Sequence, residues 1–526
     1  MVQPPVTWRS CRRRAPDASW GPLIRTGDAM AENVTRTDSR GAGGGPGPDG
    51  AEDPERTGRT AGPGLFARIR EDEYGYLDET GHVYLDHTGA ALPARRQLRA
   101  QAERLTRGVF GNPHTESPAS ATSTALVERA RARVLDFVGA DPDEYTVVFT
   151  ANATAACRLV GESYPFRRGR AELLLTLDNH NSVNGLREFA RARRAPTTYV
   201  PPGDLELRVC DATLDRALRG RRGGRGLFAY PAQSNFSGVH HPLEWIPRAR
   251  ELGWHVLLDA AAFTASNPLR LDRWPADFTV VSWYKVFGYP TGVGCLIART
   301  EALALLRRPW FSGGTIQVAS AQGRWHRFAR GAAAFEDGTV DFHAIPEVCT
   351  GLDWVDSIGV EAVHDHVSRL TTRLLSGLER LCHSDGRPLI RLYGPRTAHR
   401  RGGTVAFNVL DARGALVDER IIARDTTAAG ISVRTGCFCN PGAGEAAFGI
   451  GRGTLRAAGW AARRVAAPDT LEEYLTRLGV TSGGAVRASA GIPTTPEDVD
   501  TLLRFLGDTY RDRKPSSDGL APRSSC

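Results

Sequence analysis

The sequence contains only two lysines, Lys285 and Lys514, although Lys and Arg together number 67. Lys514 lies in the polar C-terminal tail, whereas Lys285 follows an apolar, β-branched run and precedes a turn rich in Gly and Pro. A guanidinium stays charged, but a desolvated amine can lose its proton and form a Schiff base with a carbonyl. Lys285 is therefore a candidate for carbonyl chemistry, and a snorkelling or ion-paired lysine is the alternative.

Long apolar runs are also missing, because no stretch reaches the roughly 18 residues that a membrane-spanning helix requires. Arg12, Arg13 and Arg14 lie near the N-terminus, but polar, Pro-rich sequence follows them in place of the apolar segment of a signal peptide. We therefore expect a cytoplasmic protein without a membrane partner.

Cysteine is present but does not form a pattern of disulfides or metal ligands. Of the nine cysteines only Cys437 and Cys439 lie close together, and no second pair or His ligands follow them at a zinc-like spacing. We expect neither a disulfide framework nor a metal site. The net charge of +8 is small against 67 basic and 59 acidic residues, and no basic block carries interleaved aromatics. Nucleic acid is therefore not an expected partner.

What the sequence does contain is a long alternation of strand-like and helix-like segments after a Gly-, Pro- and Arg-rich stretch. Residues 1–63 predict a disordered tail. The strands are predicted at 145–150, 172–177, 197–200, 226–230, 255–259, 278–283, 293–298, 389–393, 404–409, 431–434 and 485–490. The helices are predicted at 93–108, 120–138, 346–357, 360–382 and 496–507.

This alternation predicts an α/β protein with a mainly parallel sheet covered by helices on both faces. An N-terminal segment and the large domain occupy 64–345, a smaller α+β domain occupies 346–510, and a polar tail occupies 511–526. In such a sheet, ligands bind beyond the carboxyl ends of the strands. Polar residues that follow predicted strands are therefore candidate site residues.

Three groups of this kind precede Lys285. Residues 150–154 join a strand to a helix, where free N–H groups and a Thr hydroxyl can bind an anion; a plain N-cap is the alternative. His180 can lie over an aromatic cofactor or move a proton, although a structural hydrogen bond is the alternative. Asp259 ends a strand, and a carboxylate buried there needs a charged or hydrogen-bonding partner. Capping of a helix by Asp259 is the alternative. An anion-binding turn, a histidine, a strand-end aspartate and Lys285 thus follow one another along the chain, and together they match the needs of pyridoxal phosphate (PLP).

Eight segments carry a family resemblance: YLDHTGAALP (84–93), GNPHTES (111–117), DNHNSV (178–183), YPAQSNFSG (230–238), LLDAAAF (257–263), SWYKVFGYPTGVG (282–294), FEDGT (335–339) and VRTGCFCNPGAGE (433–445). The chain from about 72 to 508 resembles the class V aminotransferase-fold PLP enzymes. Within them it most resembles the aminotransferase-like domain of molybdenum cofactor sulfurases, relatives of the cysteine desulfurases. The resemblance implies PLP-dependent transferase fold type I, with a seven-stranded-type sheet, and a homodimer.

The resemblance also implies roles for residues of the cofactor site. Lys285 would bind PLP covalently, Asp259 would pair with its pyridine nitrogen, and His180 would stack on its ring. The residues that would hold the phosphate are Ala153, Thr154 and Ser282, with Gly338 and Thr339 reaching the phosphate of a neighbouring subunit.

For the substrate, the resemblance implies that Arg487 grips the α-carboxylate, with Arg434 and Asn235 beside it. A planar guanidinium suits a carboxylate, although a surface ion pair is the alternative for either arginine. In the related loops the sulfur-accepting cysteine comes five residues after the arginine at the position of Arg434, which gives Cys439. Cys437 is the reserve candidate, and a nearby Arg434 would favour a thiolate.

Three positions depart from the pattern of the desulfurases. Ala262 stands where many carry a Gln, Tyr284 stands where His usually precedes the lysine, and Gly444 replaces a further cysteine of the loop. The first two also resemble the sulfurase branch. The chain does not continue into the domain that binds the molybdenum cofactor in full-length eukaryotic sulfurases, so we expect a separate sulfur acceptor, a protein or a small molecule.

These features predict a PLP-dependent cysteine desulfurase that converts L-cysteine to L-alanine and leaves a persulfide on an active-site cysteine. The first alternative is a PLP-dependent C–S lyase, epimerase or other eliminating enzyme on an amino-acid substrate. It would use the same Lys285 and Asp259, but neither cysteine. The second alternative is a catalytically silent partner protein that retains the fold.

Overall fold

The computed structural model describes residues 64–203, 206–220, 226–456, 483–517 and 519–520, so the predicted tail at 1–63 lies outside the described residues. The strands are β1 (Val83–Tyr84), β2 (Tyr145–Thr150), β3 (Glu172–Thr176), β4 (Thr197–Val200), β5 (Gly226–Pro231), β6 (Trp254–Asp259), β7 (Phe278–Ser282), β8 (Gly294–Arg299), β9 (Ile316–Ser320), β10 (Trp325–Phe328), β11 (Ile390–Tyr393), β12 (Thr404–Val409), β13 (Ile431–Ser432), β14 (Arg434–Gly436) and β15 (Ala485–Ser489).

The α-helices are α1 (Leu65–Tyr74), α2 (Tyr76–Glu79), α3 (Arg95–Arg107), α4 (Pro118–Phe137), α5 (Ala153–Ser163), α6 (Asn181–Asn184), α7 (Leu186–Ala192), α8 (Asp211–Arg219), α9 (Trp245–Glu251), α10 (Trp283–Phe287), α11 (Thr300–Leu303), α12 (Glu347–Ile358), α13 (Val360–Arg380), α14 (Glu419–Ala428), α15 (Pro441–Ala447) and α16 (Pro496–Tyr510). The N-termini of two long helices show the residues expected there. Ser117 caps α4 and Thr495 caps α16, and each cap is followed by a proline at the first helical position. Proline suits this position because the first N–H of a helix has no partner within the helix.

The large sheet has seven strands in the order β2-β8-β7-β6-β5-β3-β4. Strand β8 is antiparallel to both of its neighbours, and the remaining pairs are parallel. Since β2 and β7 both oppose β8, β2 runs in the same direction as β3 to β7. The carboxyl ends of these six strands therefore lie along one edge of the sheet. This confirms the predicted α/β fold and mainly parallel sheet.

Helices cover both faces of this sheet because its strands are apolar on both sides. Val147 packs into one core and Val148 into the other, and Leu258 and Leu257 divide in the same way. Successive side chains of a strand point to opposite faces, so a run without polar residues buries both. Helices α4, α9 and α12 contribute to the first core, and α5 and α7 to the second.

The smaller sheet is antiparallel, with the order β11-β12-β15-β14, and its core includes residues of α13, α14 and α16. A segment from the start of the chain joins it. Val83 pairs in parallel with Ile431, Tyr84 pairs with Ser432, and Leu85 is buried in the same core. Residues 83–85 thus place the segment that follows them against the smaller sheet.

Most predicted elements agree with the structure to within three residues at each end. The single strand predicted at 431–434 is wrong, because β13 pairs in parallel with β1 whereas β14 pairs in antiparallel with β15. The β9–β10 hairpin was not predicted. Among the described helices, none is both long and apolar enough to cross a membrane. The domain boundaries and the cytoplasmic location stay predictions.

Candidate active site

A cavity of about 320 Å³ lies at the carboxyl ends of the parallel strands. Strands β2, β5, β6 and β7 each end at its wall, directly or through the residues that follow. The predicted site residues that line it are Ala153, Thr154, His180, Asn235, Asp259, Ser282 and Lys285. The fold therefore gathers seven candidates, separated by up to about 130 residues of sequence, around one space.

Lys285 is the only amine among the residues that line this cavity. It lies on α10, immediately after β7, and burial lowers the pKa of its ammonium group. The cationic Arg487 and Arg434 lower this pKa further, whereas the carboxylate of Asp259 and the thiol of Cys439 act in the opposite direction. The site therefore favours the neutral, nucleophilic amine more than water does.

His180 projects into the same cavity from the start of α6. Its Nδ1 accepts a hydrogen bond from the backbone N–H of Ser182 at 3.1 Å, so in the neutral ring the proton is on Nε2. Burial is the main cause that lowers the pKa of this imidazole, and the charge of Lys285 adds to it. A neutral, flat ring with one N–H can stack on a planar cofactor and hold a proton at Nε2.

Asp259 is the last residue of β6 and is 8% exposed. Its Oδ1 accepts a hydrogen bond from the backbone N–H of Ala261 at 3.0 Å, which fixes the carboxylate at the cavity wall. Ala262, where the sequence departs from the desulfurase pattern, also lines the cavity. A carboxylate held in this way can pair with a protonated ring nitrogen.

The N-terminus of α5 forms another wall. Asn152 caps this helix by accepting from the N–H of Ala155 at 2.9 Å, and Ser282 Oγ accepts from the N–H of Ala153 at 3.2 Å. Thr154 Oγ1 lies 2.7 Å from Ser182 Oγ. Hydroxyl donors at the positive end of a helix dipole suit a phosphate.

This donor set fits PLP. The cavity offers an amine of lowered pKa for the aldehyde, hydroxyl and N–H donors for the phosphate, a carboxylate for the ring nitrogen and a flat imidazole for the ring. Gly338 and Thr339 are the exceptions among the predicted cofactor residues, because neither lines this cavity. Thr339 lines a neighbouring cavity of about 330 Å³ that shares Ala151 and Gly292 with the first, and its Oγ1 accepts from Asn112 Nδ2 at 3.2 Å. Its predicted contact with another subunit stays a prediction.

Arg487 and Arg434 do not line the cavity, but they lie beside it and are joined by one carboxylate. Asp86 Oδ1 accepts from Arg487 Nη2 at 2.9 Å, and its Oδ2 accepts from Arg434 Nη2 at 2.7 Å. Arg487 Nη1 also donates to the backbone oxygen of Asn235 at 3.0 Å. Burial lowers the pKa of Arg487, whose side chain is 3% exposed. Sequence reasoning did not assign a role to Asp86, although it lies within the YLDHTGAALP segment.

The cysteine loop follows β14 and is held against the cavity by backbone contacts. Asn181 N–H donates to the oxygen of Cys439 at 2.7 Å, and Asn235 Nδ2 donates to the oxygen of Phe438 at 2.8 Å. Cys439 is exposed, whereas Cys437 is 8% exposed. Of the two candidate thiols, Cys439 is therefore the one that solvent and a partner can reach.

Asn440 connects this loop with the histidine loop, and the sequence offered no signal for it beyond its place in the motif. Its Nδ2 donates to the oxygen of Asp178 at 2.7 Å and to Asn235 Oδ1 at 2.9 Å. Asp178 is itself buried against His241 Nε2 at 2.8 Å. Burial alone would raise the pKa of Asp178, but the charge and hydrogen bond of His241 outweigh it and lower the pKa.

An aminotransferase class-V family model matches residues 83–502 of the chain. Molybdenum cofactor sulfurase of Arabidopsis thaliana is 33% identical over 487 residues, which cover 85% of this chain and 58% of that protein. Molybdenum cofactor sulfurase of Homo sapiens is 33% identical over 485 residues, which cover 88% of this chain and 53% of that protein. The chain thus spans a little more than half the length of these relatives.

Two solved structures are similar in fold to most of this chain. The apo cysteine desulfurase of Thermococcus onnurineus NA1 has a TM-score of 0.69 and 23% identity, and covers 84% of this chain and 97% of its own. A cysteine desulfurase of Escherichia coli in its S-sulfonic acid form has a TM-score of 0.65 and 22% identity, and covers 84% of this chain and 98% of its own. At these identities the likeness shows a common fold.

Proposed function

The chain belongs to the aminotransferase class-V family, whose cofactor is PLP, and on this basis we propose that it is a cysteine desulfurase of the molybdenum cofactor sulfurase type. Its substrate is L-cysteine and its products are L-alanine and a persulfide on Cys439. The sulfur then passes to a separate acceptor, a protein or a small molecule. We also propose a homodimer, in which Thr339 approaches the phosphate site of the neighbouring subunit.

One observation carries this proposal most strongly: the loop of the exposed Cys439 is hydrogen-bonded to the walls of the cavity that holds Lys285. Asn181 follows His180 directly, and Asn235 lines the cavity, so both contacts bring the thiol loop to the reacting space. The thiol of Cys439 also influences the pKa of Lys285. An eliminating enzyme without sulfur transfer would not need this placement.

PLP bound at Lys285 supplies an electron sink for the carbanion at the substrate Cα. Arg487 orients the substrate by its α-carboxylate, since a guanidinium offers two parallel donors. The amine of Lys285, whose pKa is lowered by burial, takes the Cα proton. Asp259 would pair with the ring nitrogen of PLP and so keep it protonated, and His180 holds a proton at Nε2.

The sulfur step belongs to Cys439. Its thiolate attacks the Sγ of the substrate, so a new S–S bond forms as the Cβ–Sγ bond breaks, and the electron pair of the broken bond stays on Cβ. A proton then completes the methyl group, and alanine leaves. The reaction balances as cysteine plus enzyme thiol giving alanine plus enzyme persulfide, without an external oxidant.

The first experiment is incubation of the purified holoprotein with L-cysteine. We expect alanine in solution and a mass increase of one sulfur on the peptide that contains Cys437 and Cys439, both followed by mass spectrometry. Cys439→Ser should abolish the persulfide, and Cys437→Ser should retain it because the Cys437 side chain is buried. Both variants should keep the visible absorbance of bound PLP.

Three results would contradict this function. Normal persulfide formation in Cys439→Ser would remove Cys439 from its role. Alanine-free turnover that survives loss of both cysteines would instead identify a C–S lyase or related eliminating enzyme. A protein that binds no PLP under any condition would be a silent member of the family.

A further inference from the structure

The two arginines beside the cavity face each other across neighbouring strands. The register of β14 and β15 places Arg434 directly opposite Arg487. Like charges at opposite positions of an antiparallel pair repel each other. The carboxylate of Asp86 lies between them and accepts from both, with contacts of 2.7 and 2.9 Å. The cluster of Arg434, Arg487 and Asp86 therefore carries one net positive charge.

Asp86 is fixed in this place by its backbone, independently of the arginines. It forms a parallel bridge with Ser489, two residues beyond Arg487 on the same strand. The N–H of Thr88 donates to Ser489 Oγ at 2.8 Å, and Gly89 makes the close approach of the turn possible, because a Cβ there would lie 2.5 Å from Asp86 Oδ2. With 8% of its surface exposed, Asp86 is buried beside the two arginines.

We propose that Asp86 is a specificity-determining residue that restricts the substrate to amino acids with an uncharged side chain. The inference rests on the proposed function, in which Arg487 receives the α-carboxylate. One carboxylate of the substrate balances the single net charge of the cluster. A second acidic group would meet the negative charge of Asp86 and find no uncompensated cation within the cluster. L-Cysteine satisfies this condition, whereas an amino acid with an acidic side chain does not.

Asp86 also competes with the substrate for Arg487. Nη2 donates to Asp86, Nη1 donates to the backbone of Asn235, and Nε is buried without a hydrogen-bond partner among the described residues. The α-carboxylate must therefore share this guanidinium with a resident carboxylate. Loss of the Asp86 charge should tighten the binding of every carboxylic acid at this site, and it should tighten that of a diacid more.

The test compares propionate, with one carboxylate, and succinate, with two, as dead-end ligands of the holoprotein in isothermal titration calorimetry. In Asp86→Asn we expect the affinity for succinate relative to propionate to rise about tenfold over wild type, as one unit charge at close range implies. Glu347→Gln is the matched control, because Glu347 is buried and accepts from Arg104 at 2.7 Å outside the cavity. It should leave the ratio unchanged.

A second variant covers the case in which Asp86→Asn does not fold. Arg434→Gln removes a cation whose side chain is 50% exposed and leaves the cluster with no net charge. The ratio of succinate to propionate affinity should then fall below that of wild type. An unchanged ratio in a folded Asp86→Asn or Arg434→Gln protein would mean that Asp86 only relieves the repulsion between the arginines, and the inference would be lost.

The binding test of Asp86 can fail or succeed independently of the turnover test of the proposed function. Binding of the two acids requires no turnover, whereas formation of alanine from L-cysteine by the wild-type protein tests the desulfurase activity itself. A wild-type protein that releases no alanine but shows the shifted ratio in Asp86→Asn would refute the activity and retain the specificity role. The reverse pair of results would refute the role of Asp86 alone.

Discussion

Phe438 and Cys439 both have positive φ angles, +56° and +52°, which side chains with a Cβ rarely adopt. Each such residue costs on the order of 1–3 kcal/mol unless its surroundings hold it in place. Here the hydrogen bond of Asn235 holds the backbone, and the guanidinium of Arg487 lies 4.8 Å from the centre of the Phe438 ring. The residue that we propose to grip the substrate therefore also touches the neighbour of the acceptor thiol.

We predict that Phe438→Ala slows persulfide formation by about tenfold or more while bound PLP keeps its visible absorbance. Loss of the ring removes the cation–π contact and its packing against Phe236, so the loop no longer holds Cys439 in one orientation. The rate would be measured by quenched single turnover and mass spectrometry. Phe448→Ala is the control, since Phe448 packs on the same core cluster through Tyr393. Equal rates in both variants would rule out this coupling.

The sequence was a good guide to residues whose chemistry is evident from their own type and place. A lone lysine after an apolar strand and an aspartate ending another strand predicted the two groups that the structure brings into one cavity. Asp86 could not be found in this way, because its importance depends on two arginines about 350 and 400 residues away. Only the pairing of β14 with β15, and of residue 86 with Ser489, brings these charges together.

At the scale of elements, helix α5 carries the candidate phosphate site on its first turn. We predict that Thr154→Val weakens PLP binding by roughly ten- to a hundredfold, the worth of one hydrogen bond to a charged group. Thr154 Oγ1 is a hydroxyl at the cavity wall and lies 2.7 Å from Ser182 Oγ. Titration of the apoprotein with PLP, followed by absorbance, would measure the change.

The control for this prediction is Thr122→Val on α4. Thr122 is exposed, and its Oγ1 donates to the oxygen of Pro118 within its own helix. The substitution makes the same chemical change without touching the cavity, so PLP affinity should remain that of wild type. If Thr154→Val also bound PLP as tightly as wild type, the first turn of α5 would not hold the phosphate through this hydroxyl.

Elements themselves were predictable where burial imposes a clear pattern. Strands such as β2 and β12 are fully predicted, since both are short runs rich in β-branched and aromatic residues, which favour a strand. The β9–β10 hairpin lacks that pattern, because residues such as Val318 and Trp325 are exposed on it. The break between β13 and β14 has no local signal either, since it arises from two different partner strands.

At the scale of the whole molecule, the buried His87 and His366 and the half-buried His240 make stability depend on pH. Burial lowers the pKa of His87 and of His240 to about 3, and that of His366 to about 4. In the unfolded chain each imidazole has its ordinary pKa near 6.5. Above that pH both states are neutral, so the stabilisation is fully present. Below it, only the unfolded chain takes up protons, and the free energy of unfolding falls until the pH reaches the folded-state values.

We therefore predict that the protein loses stability steeply between pH 6.5 and about 4. At pH 5 each histidine costs roughly 2 kcal/mol, which follows from about 1.4 kcal/mol per pH unit. Chemical unfolding at pH 7.5 and 5.0 would measure the loss. His366 Nε2 contacts the oxygen of Thr494 at 3.0 Å, and the amide of His366→Gln keeps a donor for it but cannot titrate. Between pH 7.5 and 5.0 the free energy of unfolding of this variant should therefore fall less than that of wild type, by the contribution of one histidine. His343→Gln, at an exposed position, should match wild type, and equal losses in both variants would show that His366 does not contribute to acid unfolding.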